Sequence, residues 1–167
     1  MTSARAFAVA AHGAQQYGSH PYSYHLDAVA ALVVPYGDEA VAVAYLHDTV
    51  EDTAATLAEI EQRFGPHVAA CVALLTDEPG ASRKERKAKT YAKLAAAQEA
   101  LELALLVKAA DRLANVRACL ADRRLDLLQI YRSEQAAFRT AAWRPHLCQP
   151  LWAELDALLA AERATLP

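Results

Sequence analysis

Glycine and proline are scarce in this chain, at 5 and 7 of 167 residues. Both punctuate regular structure, so their scarcity argues against a fold of many short strands and tight turns. Cysteine is scarcer still: Cys71, Cys119 and Cys148 lie far apart, with no CxxC pair. An odd, scattered set argues against a disulfide scaffold and a cysteine zinc site, fits a reducing compartment, and reads as three small buried hydrophobes. No run of 18 apolar residues is free of charge, so no membrane span is expected. Residues Met1–Arg5 lack the basic head and apolar run of a secretory leader, which makes a cytoplasmic protein the expectation. A formal net charge of -3 gives no general basic excess for binding nucleic acid.

What is present is alanine, 40 residues of it, and a hydrophobic content of 54%. Alanine is the best helix former, and that apolar content excludes disorder for the bulk of the chain. The length suits one domain, taken as residues 1–167. Apolar residues at helical spacing predict helices over 2–16, 24–35 and 38–50, the last apolar on nearly every side from Ala40 to Leu46. Thr56-Leu57-Ala58-Glu59 has the pattern of a capping box and opens a helix that stops at Gly65-Pro66. Further helices are expected over 66–76, 82–98 (basic and exposed), 100–121 (mostly apolar), 124–141 and 146–164, with a turn at Asp77-Glu78-Pro79-Gly80. No segment shows sustained strand alternation, and the expected class is an all-α bundle.

The informative stretch is Ala44-Tyr45-Leu46-His47-Asp48-Thr49-Val50-Glu51-Asp52-Thr53. An apolar helix runs directly into one imidazole and three carboxylates. On a continuous helix the spacings His47–Glu51, Asp48–Asp52 and Asp48–Glu51 put these groups on one broad side. Crowded acids in a partly buried place repel one another and lose hydration, and a divalent cation would relieve both costs. The plainer alternative is a solvated helix C-terminus, although the helix dipole favours cations there. Two more positions bear on the choice. His25 begins the second helix, where it is either a ligand or a capping histidine. Asp111 interrupts an apolar helix in Lys108-Ala109-Ala110-Asp111-Arg112-Leu113-Ala114-Asn115, where it is either a ligand or half of an ion pair with Lys108 or Arg112. Lys108, Asp111 and Asn115 share a helix face.

The set His25…His47-Asp48…Asp111 resembles the signature of the HD-domain metal-dependent phosphohydrolases. Leu46–Thr53, followed by Thr56–Ile60 and Phe64-Gly65, and the run Lys108–Asn115 are similar to the alarmone hydrolase branch: the hydrolase half of RelA/SpoT enzymes and their stand-alone Mesh1-like relatives. The similarity extends over roughly residues 4–140. It implies a helical bundle with a central metal held by His25, His47, Asp48 and Asp111, Mn²⁺ by preference, with Fe²⁺ or Zn²⁺ also compatible with two imidazoles and two carboxylates. It further implies that Glu51 and Asp52 handle the nucleophilic water and its proton, and that Asn115 touches the ribose. The implied reaction is Mn-dependent removal of the 3′-pyrophosphate of guanosine tetra- or pentaphosphate.

Other features bear on a polyanionic substrate. Arg83 to Lys93 carries six cations and one anion, with Arg86 and Lys87 the best phosphate contacts; the alternative is an ordinary solvated face. Lys108 is a further candidate contact. The resemblance also has a gap. Relatives usually place an Arg or Lys pair before the Pro-Tyr, whereas here the segment is Gln15-Gln16-Tyr17-Gly18-Ser19-His20-Pro21-Tyr22. Tyr17 or His20 could stack on the base instead, or simply pack. Base choice is therefore open, and an adenine alarmone or NADPH is an alternative substrate; a non-catalytic nucleotide-binding sensor is a second alternative. Tyr131 is a candidate substrate contact, while Trp143, Trp152 and the leucines of 151–159 read as core or as a dimer face. The partner expected from all this is a small nucleotide, with no nucleic acid, no membrane, and a monomer or homodimer.

Overall fold

A computed structural model describes residues 3–161, so Met1, Thr2 and the end of the last expected helix (162–164) lie outside the described residues. Helix α1 (Ala4–His12) opens on Ser3, whose hydroxyl accepts from the Ala6 N–H, and stops at Gly13 with φ 53°. That is earlier than the expected 16, because only a left-handed residue turns the chain there. The turn delivers a two-stranded antiparallel hairpin that strand periodicity could not reveal, β1 (Gln16–Tyr17) and β2 (His20–Pro21), with Tyr17 paired to His20. Helix α2 (Ser23–Val33) leads through a 3₁₀ turn (Val34–Tyr36) into α3 (Asp38–Leu46).

The structure corrects the expectation of one helix over 38–50. α3 ends at Leu46, and a single turn, α4 (Thr49–Asp52), follows. Asp48 sits at φ -100°, ψ -3°, at the edge of the helical basin, where the regular ladder stops. The Ala44 carbonyl, which a continuing helix offers to the Asp48 N–H, accepts instead from His47 Nδ1 at 2.7 Å.

Helix α5 (Leu57–Phe64) has the expected capping box, with Thr56 and Glu59 satisfying each other's backbone N–H groups. Gly65 at φ 94° separates it from α6 (Pro66–Leu75). Helix α7 (Arg83–Ala95) is capped by Ser82 and buries Thr90, Tyr91 and Leu94, so it is basic but not a wholly exposed helix. A 3₁₀ turn (Glu99–Leu101) precedes α8 (Glu102–Ala121), which is followed by α9 (Leu125–Ala142) and α10 (Gln149–Ala160). α8 is the hub: it packs on α2, α3, α6, α9 and α10 and is buried almost without a break from Ala104 to Ala114. Truncating a fully buried residue on it, such as Leu113, would cost about 2–5 kcal/mol.

Trp152, Leu151, Leu155 and Leu159 face this core, with Trp152 beside Phe138, so the leucine stripe of α10 is interior. Trp143 is half-buried. The three cysteines are free and buried. Among the described residues no helix is long and apolar enough to cross a membrane.

Candidate metal centre

Two helices and one helix break bring four ligand-type side chains together. α2 supplies His25, the break after α3 supplies His47 and Asp48, and α8 supplies Asp111. His25 Nε2 and His47 Nε2 stand 3.3 Å apart. Asp48 Oδ2 lies 3.0 Å from His47 Nε2 and 3.6 Å from His25 Nε2. Asp111 Oδ1 lies 3.4 Å from His25 Nε2 and 3.7 Å from His47 Nε2. Ligands bonded at about 2.1 Å and at right angles stand about 3.0 Å apart, and those at tetrahedral angles slightly farther. These separations therefore suit one shared divalent ion.

The orientation of the donors agrees with such an ion. His47 is fully buried, and its Nδ1 must donate, because its partner, the Ala44 carbonyl, can only accept. In the neutral ring that leaves Nε2 its lone pair, facing the cluster, as a metal-binding imidazole requires. The carboxylates are also held from outside. Tyr22 Oη donates to Asp48 Oδ2 at 2.6 Å, and Asn115 Nδ2 donates to Asp111 Oδ1 at 2.6 Å. Electrostatically the groups depend on one another. Burial disfavours charge on His47, yet Asp48 and Asp111 outweigh it and lift its pKa to about 10. Burial likewise opposes charge on the two aspartates, and their basic neighbours hold both well below the usual carboxylate range.

Glu51 and Asp52 do not join this set. Since the helix breaks at Asp48, they point to other partners: Glu51 Oε2 accepts from the Asp77 N–H at 2.8 Å, and Asp52 Oδ2 accepts from Gln15 Nε2 at 3.1 Å. Both remain exposed at the rim. Partial loss of hydration of its carboxylate, assisted by the charges of Asp77 and Asp48, raises the Glu51 pKa against the pull of the Asp77 N–H.

The other predicted contacts fall in varied places. Lys108 is buried, with Nζ 3.3 Å from Asp111 Oδ2. Burial opposes its charge, but Asp111, Asp48, Asp77 and Glu51 together outweigh that penalty and raise its pKa. Asp111 is thus both ion-paired and part of the cluster, while Arg112 turns away. Lys87 is already paired with Asp77 at 2.6 Å, Lys89 with Glu85, Lys93 with Glu78, and Arg83 with Glu134. Of the six cations on this helix, Lys84 and Arg86 alone lack a carboxylate partner among the described residues. The basic run is therefore largely spent on anchoring the turn and α9.

Tyr17 and His20, considered for stacking on a base, stack inside the protein: Tyr17 on His25 at 4.7 Å between centroids, and His20 on Tyr24 at 4.3 Å. Tyr17 nevertheless walls a cavity of about 140 Å³ with Asn115 and Tyr131, beside the acidic centre. Sequence reasoning missed His12, Gln15 and Tyr22. His12 is buried and stacked on Tyr22 at 4.2 Å, and its Nδ1 donates to Gln15 Oε1 at 2.8 Å, since the Gln15 amide nitrogen serves Asp52.

On the far side of α8, Arg112 donates to Tyr91 Oη at 2.8 Å and Glu134 Oε2 at 3.2 Å. Its guanidinium lies 4.7 Å from the Tyr131 ring centroid and 4.5 Å from that of Phe138.

Comparison with known proteins gives a consistent family. An HD-domain family model matches residues 4–144. The chain is 42% identical over 123 residues to the GTP pyrophosphokinase rsh of Brucella abortus, covering 70% of this chain but 16% of that protein. It is 38% identical over 101 residues to the guanosine-3′,5′-bis(diphosphate) 3′-pyrophosphohydrolase MESH1 of Danio rerio, covering 58% of this chain and 54% of that one. The chain thus spans about a sixth of the first relative and about half of the second. In three dimensions it is similar, with a TM-score of 0.73 and 25% identity, to a metazoan ortholog of SpoT that hydrolyzes ppGpp; the match covers 93% of this chain and 90% of that one.

Proposed function

The chain belongs to the HD-domain family, and from that premise we propose that it is a divalent-metal-dependent hydrolase of guanosine polyphosphate alarmones, converting (p)ppGpp to GDP or GTP plus pyrophosphate. The observation that carries this reading is the convergence of His25, His47 and Asp111, whose donor atoms all lie within 4.8 Å of one another, with Asp48 Oδ2 3.0 and 3.6 Å from the two imidazoles. These four would hold the ion, Mn²⁺ by preference, with Fe²⁺ or Zn²⁺ also suited to the donors. When bound, the ion supplies positive charge that polarises a phosphoryl oxygen and makes water more acidic.

The chain's own residues supply the rest. Water oxygen bonds to the phosphorus carried on O3′, the P–O3′ bond breaks, pyrophosphate leaves, and O3′ takes a proton. Glu51 and Asp52 hold and pass that proton at the rim. Glu51 keeps Oε1 for the water while Oε2 is fixed by the Asp77 N–H, and Asp52 is aimed by Gln15. Such acid–base assistance contributes about 10²–10⁴-fold in rate. Arg86 would meet the distal phosphates together with Lys87, which is also held by Asp77, and buried Lys108 offsets negative charge beneath them. Tyr131 would meet the nucleoside from the wall of its cavity. Asn115 spends both amide hydrogens on Asp111, so it can only accept from a ribose hydroxyl.

A second reading, hydrolysis of another phosphorylated nucleotide such as an adenine alarmone or NADPH, is favoured by two observations: Tyr17 lies flat on His25, and the hairpin carries no Lys or Arg for a guanine. Purified protein with Mn²⁺ and ppGpp should release pyrophosphate and GDP. Turnover of only adenine-based substrates would select the second reading, and tight nucleotide binding without any turnover would select a sensor and defeat both.

A further inference from the structure

Tyr17 has two contacts at the acidic centre, and each ends on a different residue of the proposed ligand set. Its ring lies on the His25 imidazole, with planes 14° apart. Rotation of that imidazole would swing Nε2 away from Asp48 and Asp111, and an aromatic face laid along it opposes the rotation. The Tyr17 hydroxyl donates to Asn115 Oδ1 at 2.7 Å. Asn115 Nδ2 in turn donates to Asp111 Oδ1 at 2.6 Å and to the Asp111 carbonyl at 3.0 Å. The two ends fix the carboxamide one way round. Reversing it would aim Oδ1 at a carboxylate, oxygen against oxygen, so the network sets the amide direction. Asp111 Oδ1, the oxygen that faces both imidazoles, is thereby held by a hydrogen bond whose own orientation depends on Tyr17.

The element that delivers Tyr17 is short but well fixed. Tyr17 pairs with His20 across the hairpin, Gly18 at φ 60° closes the turn, and the Tyr22 N–H is bonded to the Gln15 carbonyl. The aromatic packing continues behind it, because Tyr22 meets Tyr17 edge-on at 6.2 Å and itself bonds Asp48. The hairpin therefore reaches the centre by two routes, Tyr22 to Asp48 and Tyr17 to His25 and Asp111.

We propose that Tyr17 is a positioning residue, acting through His25 and Asn115 to hold two of the four ligand side chains in their converged arrangement, and not a surface for a nucleobase. The inference rests on the metal reading above and adds a residue from outside the ligand set. Outer hydrogen-bond partners of this kind change metal affinity by about 10–100-fold when removed.

The test titrates Mn²⁺ into the metal-free full chain by calorimetry and follows ppGpp hydrolysis in parallel. Tyr17→Phe keeps the stack and removes the hydroxyl; it should bind Mn²⁺ about 10-fold more weakly, and lower kcat at limiting metal with KM for ppGpp unchanged. Tyr17→Leu removes both contacts and should approach 100-fold. Asn115→Leu breaks the same route from its other end, so Tyr17→Phe combined with Asn115→Leu should bind no more weakly than Asn115→Leu alone. Melting of the metal-free proteins establishes that each variant folds, and Tyr17→Phe, which keeps the ring packing, carries the test should Tyr17→Leu not fold. Unchanged Mn²⁺ affinity with a raised KM would make Tyr17 a substrate contact and overturn the inference; unchanged affinity and kinetics would reduce it to packing. A wild-type chain that binds no divalent ion would overturn the metal reading and this inference together, so the two failures are told apart.

Discussion

Asp111 and Arg112 follow one another on α8 and point about 100° apart around it, into two polar clusters that are completed in different ways. Around Arg112 every charge has its counter-charge in the chain. Glu134 binds Arg112 and Arg83, Tyr91 accepts from the guanidinium, and the rings of Tyr131 and Phe138 lie against it. Around Asp111 the balance differs: acceptor atoms of two imidazoles and two carboxylates point inward on one another, with Lys108 as the cation that touches Asp111. The first cluster is finished by folding. The second needs something more, either two protons on its imidazoles or an ion. The comparison teaches how to tell structural from functional polar groups: count whether the donors and charges close on themselves.

Three experiments would break or sharpen that contrast. The largest effect is expected on the open side. Asp111→Asn should lower phosphohydrolase turnover by at least about 10²-fold, and melting should no longer rise on adding Mn²⁺, as it should for the parent chain. Retained turnover and a retained metal-dependent melting shift would mean that the two clusters are alike. Next is the closed side. Arg112→Leu leaves Glu134 with Arg83 but strips a buried hydrogen-bond network, and denaturant unfolding should report a loss of about 3 kcal/mol. Its Mn²⁺ affinity should stay within a factor of about three, and a large drop would show that the clusters are coupled through α8. The smallest effect is on pH dependence. Burial would raise the Glu134 carboxyl, but its hydrogen bonds from Arg83 and the Arg112 and Arg83 charges outweigh burial and hold it below its ordinary 4.5. A depressed carboxyl contributes stability above pH 4.5 that is lost as pH falls through its folded value. Glu134→Gln should therefore flatten the stability-against-pH curve below about pH 4.5, and an unaltered acid slope would remove Glu134 from the account.

The sequence shows one side of this contrast better than the other. The all-α class, the capping box at Thr56 and Glu59, and the grouping of Lys108, Asp111 and Asn115 were legible because each rests on local spacing. The helix break at His47 was not, since it turns on a side chain taking a carbonyl from its own backbone. With that break unseen, Glu51 and Asp52 read as sharing one face with His47 and Asp48. The hairpin was invisible because two-residue strands have no period. Tyr17 to Asn115 and Gln15 to Asp52 span 98 and 37 residues, and nothing local encodes such meetings. The basic run misled in the opposite way: its composition was plain, but only packing shows that Lys87, Lys89, Lys93 and Arg83 are already engaged.

Neighbouring residues that serve two different clusters also fix the phase of α8. Each residue advances a helix by about 100°, so inserting one amino acid between Leu105 and Lys108 would rotate everything downstream relative to the surrounding helices. The acid would swing away from the imidazoles, and no side-chain adjustment could restore both clusters at once. Length variation among natural variants is therefore expected to collect in the connections at residues 77–82 and 143–148, while α8 tolerates exchange of side chains but not a change in their number.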